Sequence, residues 1–418
     1  MPRPGSSTRP ALALAAVLVL ASGCALETEV WDPIPDPPSP DQDGLRLEWP
    51  EDTPLPPEFE SPPWLTMPAP DRISVGWLTV AQETGRVELV QIAGPGGSAP
   101  PDPFEATYRQ EQPARIHQID LGVLPVASGF RYRVVLDGSG ATREGVFVTP
   151  GQPRWRFVHL AEFHAPTESD EVARFAGAIR EFGPHLVIES GDMMNDGGDP
   201  TQWLDYLRTS SPWISNVILL PAHSNHVNGT LGNPYLKAYF HLPNNERWYT
   251  TRYGEVEIVT LDSTYGSSPD IEGQGDWVRQ SMDAVRHEAN APRFVVGVWH
   301  YPACSSHYPG RTESRRWVID TFLPAFMETG GVDLVLVGHD KYYERSVLEV
   351  GGREVVHVMA NVGRLSPSSE GDNEPECTPV MTHTDTRSLV MARVEPGHLQ
   401  AQVIDQEGMV IDTFDIVR

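Results

Sequence analysis

Seven side chains suited to holding a divalent metal stand just past five short apolar runs. Glu162 and His164 follow Arg156–Leu160, and Asp192 follows Leu186–Ser190. Asn225 and His226 follow Val217–Leu220, His300 follows Phe294–Val298, and His339 follows Leu334–Val337. Each has an ordinary explanation when taken singly. Asp192 can cap a turn, Asn225 can hold a left-handed turn, and His300 can be a core histidine. Together they are a mixed imidazole, carboxylate and amide set, a donor chemistry that suits Zn, Mn or Fe. In an open α/β sheet, ligands gather outside the carboxyl ends of the strands. Five strand ends carrying such donors therefore read as one metal site, able to polarise a bound oxygen and activate water.

The elements that position these residues are legible from Arg154 onward. The five runs are short, apolar and largely β-branched, which predicts buried strands. A further strand is predicted over Glu255–Asp262, and Gly338 stops the strand before His339. Glu168–Phe182 repeats apolar residues at helical spacing (Val172, Phe175, Ala178, Ile179, Phe182) and ends at Gly183-Pro184. Other helices are predicted through Trp203–Leu207, around Trp277–Arg286 and over Arg316–Glu328. Strand and helix alternate, so residues 154–418 are expected to form an α/β domain. Before them, 69–150 carries short alternating strands at Ile73–Thr79, Arg86–Ile92, Ala114–Asp120, Phe130–Leu136 and Glu144–Thr149, with Gly, Pro and Ser between. That pattern predicts a β-sandwich. His117 has no acidic or histidine neighbour at ligand spacing and is expected to be structural.

The ordered set resembles the calcineurin-like metallophosphoesterases. With the sandwich in front, which looks fibronectin type III-like, the arrangement is similar to that of purple acid phosphatases. The motifs stand as Glu162-Phe-His164, Gly191-Asp192, Ser224-Asn225-His226, His300 and Gly338-His339-Asp-Lys341. Trp248-Tyr249 and Tyr343-Glu344-Arg345 agree as well. The resemblance implies a four-layer α/β sandwich, helices flanking two central sheets, and two metals bridged by Asp192. It assigns one metal to Asp192, Asn225, His300 and His339. It assigns the other to Glu162, His164, Asp192 and Lys341. His226 takes the place of the family's near-site histidine, which implies protonation of the leaving group or stabilisation of the phosphate.

Two departures fall in the second set. Glu162 stands for an aspartate, and Lys341 stands for a histidine. An ammonium has no lone pair to give a metal, so one well-bound ion is expected and the second is in doubt. The Lys341 ammonium is instead expected either between Glu162 and Asp192, supplying charge to a phosphoryl transition state, or turned to solvent. Asn195 stands where purple acid phosphatases carry a tyrosine ligand, which argues against a tyrosinate-bound iron. His223 and His307 lie near the motifs. The loops Tyr301–Arg315 and Gly363–Arg387 are expected to choose among monoester, diester and nucleotide.

Residues 1–23 have a basic start, the apolar run Ala11–Leu20 and a small-residue exit, which reads as an export signal. The Ala21-Ser-Gly-Cys24 ending resembles a bacterial lipoprotein box with Cys24 lipidated; an ordinary signal peptide is the alternative. Ala25 after the cysteine then suits outer-membrane sorting in a Gram-negative host, and the protein is expected on the periplasmic face or the cell surface. Residues 24–68, rich in Pro, Asp and Glu, are expected to be a semi-rigid linker. Lipidation of Cys24 leaves Cys304 and Cys377, expected as a disulfide in an oxidising compartment, with two reduced thiols as the alternative. The net charge of −26 disfavours nucleic acid and anionic membrane surfaces as partners, leaving the lipid anchor as the membrane contact. No oligomeric state is implied. Two functions follow: a metal-dependent phosphoester hydrolase outside the cytoplasm, or a non-catalytic surface lipoprotein on the same scaffold.

Overall fold

The computed structural model describes residues 44–95, 107–109, 115–228, 234–264, 268–307, 313–366 and 374–418. Cys24, the expected signal and residues 24–43 of the expected linker lie outside them. Seven strands come first: β1 (Phe59–Ala69), β2 (Arg72–Thr79), β3 (Gly85–Ala93), β4 (Thr107–Arg109), β5 (Ile116–Val123), β6 (Gly129–Leu136) and β7 (Thr142–Val148). The α/β part opens with β8 (Trp155–Leu160), β9 (Leu186–Glu189), β10 (Ile218–Pro221), β11 (Tyr249–Tyr253), β12 (Val256–Thr260), β13 (Phe294–Val298) and β14 (Leu334–Val337). It closes with β15 (Tyr343–Val350), β16 (Arg353–Met359), β17 (Cys377–His383), β18 (Leu389–Glu395), β19 (His398–Ile404) and β20 (Val410–Val417).

The central strands β8, β9 and β10 pair in parallel, as do β12, β13, β14 and β16. Parallel strands covered on both faces are largely apolar; β8, β9, β10, β12, β13 and β14 are buried along their lengths, and β16 is buried after its first two residues. Alternation along the second set divides it between two cores. Ile258, Val296, Leu334 and Leu336 join the core of β8–β10. Val259, Val295, Val335 and Val337 meet Val278, Met282, Phe322 and Phe326 from the helical segments Ser268–Arg286 and Val318–Glu328. The helices Ala176–Phe182 and Pro200–Thr209 bury Ile179, Phe182, Trp203, Tyr206 and Leu207 with the larger sheet. Two sheets with helices outside each make the α/β architecture.

The expected boundary between the sandwich (69–150) and the α/β domain (154–418) is not where the sheets divide. One ten-stranded sheet runs β20-β19-β18-β8-β9-β10-β1-β2-β5-β4, crossing from the α/β part into the sandwich. A seven-stranded sheet runs β11-β12-β13-β14-β16-β15-β17, and β3-β6-β7 complete the sandwich. The sandwich order β1-β2-β5-β4 over β3-β6-β7 is that of a seven-stranded immunoglobulin-type sandwich. The linker expected over 24–68 is corrected at its end, because Phe59–Ala69 is strand β1, antiparallel to β2 and parallel to β10. Pro62 and Pro63 hide it, since proline within a run argues against a strand. They sit at a register shift between Ser61 and Trp64, where a missing N–H breaks no ladder bond.

The junction is well bonded. Tyr132 Oη donates to Ser215 O at 2.9 Å, and Gln118 Nε2 donates to Ala238 O at 2.6 Å. Trp64 is buried at the seam and donates from Nε1 to Tyr239 O at 2.7 Å. Its ring lies where a Cβ on Gly76 would be, 2.2 Å from Cε2, so the two positions are complementary. His117 is buried, stacked on Trp77 and bonded to Thr79 Oγ1 at 2.9 Å, a structural role. A disulfide joins Cys304 to Cys377, Cα atoms 5.5 Å apart, tying the segment after β13 to the start of β17. Strand β17 also corrects the expected loop over Gly363–Arg387, part of which is an edge strand.

Two outcomes are expected from this packing. Trp64→Ala should cost about 3–5 kcal/mol, read as a lower urea midpoint with a single transition kept. Separate melting of the sandwich would contradict the shared sheet. Burial pushes His159, His185 and His357 each down to about 3. The unfolded chain takes up those protons near pH 6.5, so stability is lost as pH falls from about 6.5 toward 3. A fall on the order of 1–2 kcal/mol per histidine between pH 7 and about pH 5 is expected in urea titrations. A midpoint that rises on acidification would mean that these rings are charged in the folded protein.

Candidate metal centre

The five strand ends converge. β8, β9 and β10 of one sheet and β13 and β14 of the other deliver Glu162 and His164, Asp192, Asn225 and His226, His300, and His339 with Lys341. Among the described residues eight non-glycines have positive φ, and five are here: Glu162 (64°), His164 (51°), Asp192 (58°), His339 (77°) and Lys341 (63°). Each such residue costs about 1–3 kcal/mol and persists only where its surroundings enforce it. Backbone bonds between neighbouring strand ends do so: Glu162 N to Gly191 O at 3.0 Å, His164 N to Asp192 O at 2.8 Å, Gly338 N to His300 O at 3.1 Å. Asp192 N donates to Ser224 Oγ at 2.9 Å. Gly191 has φ 106°, and a Cβ on it would lie 2.5 Å from Ser224 Cβ and 2.9 Å from His300 Nδ1.

One group gathers Asp192, His300 and His339, with Asn225 beside it. His300 Nδ1 donates to Ser190 O at 2.9 Å, leaving Nε2 to face inward. There it meets Asn225 Oδ1 at 2.8 Å, Asp192 Oδ1 at 3.3 Å and His339 Nδ1 at 3.3 Å. Four acceptor-type atoms crowded together demand positive charge. Burial lowers the His300 pKa, but the Asp192 charge and hydrogen bond outweigh it and hold the ring up to about 9. His339 is pushed down to about 3 by burial and by His300. Asp192 is held well below the usual carboxylate range: burial opposes this, but the attraction of His300 prevails. A divalent cation meets the same demand, so these residues fit a bound metal.

The second group is His164, Asp192 and His226. His164 Nε2 and His226 Nε2 lie 3.7 and 3.8 Å from Asp192 Oδ2. That oxygen is buried and has no hydrogen-bond partner. This is not the set that the resemblance implies. Glu162 Oε2 lies 2.9 Å from His164 Nε2, and Glu162 Oε1 accepts from His339 N. Lys341 Nζ lies 3.9 Å from Glu162 Oε2, and its ammonium makes no ion pair with Asp192. The side chains of His226, His339 and Lys341 are 32%, 27% and 19% exposed, so they mark the open face.

His223 turns aside to Glu246 O at 3.2 Å, and His307 packs edge-on against Tyr342. Residues not singled out as site members also take part. Asn195 bonds both His164 and His226; its spacing of three from Asp192 was the available signal. Tyr301 sets its ring edge-to-face on His339 at 4.3 Å, its signal being only that it follows His300. Buried Asp340 pairs with Arg315, and burial raises its carboxyl to about 6.

No family model matches the chain. Two uncharacterized proteins of Mycobacterium tuberculosis, MT2654 of strain CDC 1551 / Oshkosh and Rv2577 of strain ATCC 25618 / H37Rv, are each 25% identical over 275 residues. The match covers 56% of this chain, and the chain spans about half, 51%, of those relatives. The fold is similar to that of the purple acid phosphatase PPD1 from yellow lupin (Lupinus luteus) seeds. The TM-score is 0.66 at 16% identity, covering 85% of this chain and 74% of that one. An α/β fold similar to that of this phosphatase thus carries His and Asp groups that could hold a metal.

Gly191→Ala tests how these strand ends are held. The strain at φ 106° and the contact with His300 should cost about 2 kcal/mol or more. Bound metal should fall along with the urea midpoint. Unchanged stability and metal content would mean that the strand ends relax freely.

Proposed function

We propose that the protein is a metal-dependent phosphoester hydrolase that works outside the cytoplasm, held to a membrane by lipid on Cys24. The observation that carries the reading is Asp192, a buried carboxylate that belongs to both His/Asp groups and keeps one oxygen unpartnered. Asp192, Asn225, His300 and His339 would hold a Zn, Mn or Fe ion. Such an ion supplies a Lewis acid for a phosphoryl oxygen and lowers the pKa of a bound water.

The chain's own groups do the rest. The Ser190 carbonyl fixes the His300 ring so that Nε2 faces the ligand cluster. Tyr301 limits the swing of His339. Lys341 sets an ammonium at the rim, where an anionic substrate arriving at a chain of net charge −26 needs local positive charge. The charge also complements the anionic transition state of phosphoryl transfer. The strand order of the sandwich is immunoglobulin-type, and the fibronectin type III-like reading is supported by it at the level of that shared architecture. Export is supported by the Cys304–Cys377 disulfide, a bond at home in oxidising compartments. Among the described residues no helix is long and apolar enough to cross a membrane.

The chain from Ala25 onward should carry at least one tightly bound ion by elemental analysis and should hydrolyse an aryl phosphate. Asp192→Ala and His339→Ala should each lose turnover by more than about 100-fold, since even outer partners of metal ligands are worth about 10–100-fold. No metal and no turnover, after Zn, Mn or Fe is supplied, would replace this reading with a non-catalytic binding protein.

A further inference from the structure

We infer that this chain has a second metal subsite built from His164, Asp192 and His226, with Asn195 as the residue that positions both histidines. The inference rests on the metallohydrolase reading and changes the role of His226 from proton donor to ligand.

The hydrogen bonds of Asn195 carry the argument. Its Nδ2 donates to Thr167 Oγ1 at 2.6 Å and to His164 O at 3.2 Å, which fixes the amide so that Oδ1 faces His164. Oδ1 can only accept, so His164 Nδ1, 3.1 Å away, is the donor. The Asn195 main-chain carbonyl lies 2.6 Å from His226 Nδ1, so this nitrogen is also a donor. Each ring then presents Nε2 as its metal-binding atom. Carbonyl partners on the far nitrogen are the usual way a ligating histidine is held. Both Nε2 atoms point to one place beside Asp192 Oδ2, at 3.7 and 3.8 Å.

Those spacings suit a shared ion. Ligands at ~2.0–2.1 Å around a tetrahedral Zn lie ~3.4 Å from one another. Asp192 Oδ2 is buried with no hydrogen-bond partner, an arrangement that is costly unless a cation completes it. His164 Nε2 also lies 2.9 Å from Glu162 Oε2, a contact between a lone pair and a carboxylate that needs a cation or a proton at that nitrogen. Lys341 cannot serve as a ligand, and its ammonium is paired with Glu162. His226 enters from β10 instead and replaces the missing donor. Asn195 is no ligand here; its carbonyl and amide aim the two rings.

The test is metal counting on the chain from Ala25 onward, by elemental analysis and by calorimetric titration of the metal-free protein with Zn2+. Two ions are expected in the parent. His226→Ala should bind one, and Lys341→Ala should still bind two. Asn195→Ala should keep two sites, with the second weakened about 10–100-fold. Circular dichroism should be unchanged in all three. Two ions in His226→Ala, or one ion in the parent with turnover intact, would overturn the second subsite and leave the hydrolase reading standing. No ion in the parent would overturn both. Loss of the second ion in Lys341→Ala would return the site to the set that the resemblance implies.

Discussion

The carboxylate of Asp192 is fully buried, and the arrangement around it answers the problem this creates. A buried charge is costly unless it is paired and bonded. Oδ1 meets His300 Nε2 at 3.3 Å and the His226 backbone N–H at 3.3 Å, while Oδ2 faces His164 and His226. These partners come from both sheets. The two sheets therefore meet at their carboxyl edges over one anion, and the left-handed residues of the strand ends are the cost of bringing it partners at short range.

Much of this was legible in the sequence. The strands that carry ligands are apolar runs closed by Gly, Asp or His, and burial on both faces leaves such runs little freedom to be anything else. β1 was not legible, because Pro62-Pro63 imitates a linker and the strand is recognised only when β2 and β10 flank it. Apart from the β14–β16 pair, the strands from Tyr343 onward pair antiparallel, and β17 is half exposed, so its hydrophobic signal is weak. The candidate ligands were legible as a set, but the direction of a ring was not. Where His226 Nε2 points is decided by a carbonyl thirty-one residues earlier, and no local pattern encodes that.

The two departures from the resemblance are one physical event. Glu162 is a methylene longer than aspartate, and it uses that reach to accept from His339 N and to pair with Lys341. Gly338 makes room for it, since a Cβ there would lie 2.9 Å from Glu162 Oε1. The carboxylate has become a brace for the β14 loop, and the lysine neutralises it. Facing Glu162 at the rim, the lysine keeps its charge without entering the ligand set.

That division of labour also accounts for Asn195. Asparagine is short, and its amide is engaged by Thr167 and the His164 carbonyl, so it stays behind the two rings. The space it leaves is where both Nε2 atoms converge on Asp192. The strand ends that carry the two rings are fixed by backbone bonds between neighbouring strands, and Asn195 adds only the direction in which the rings face.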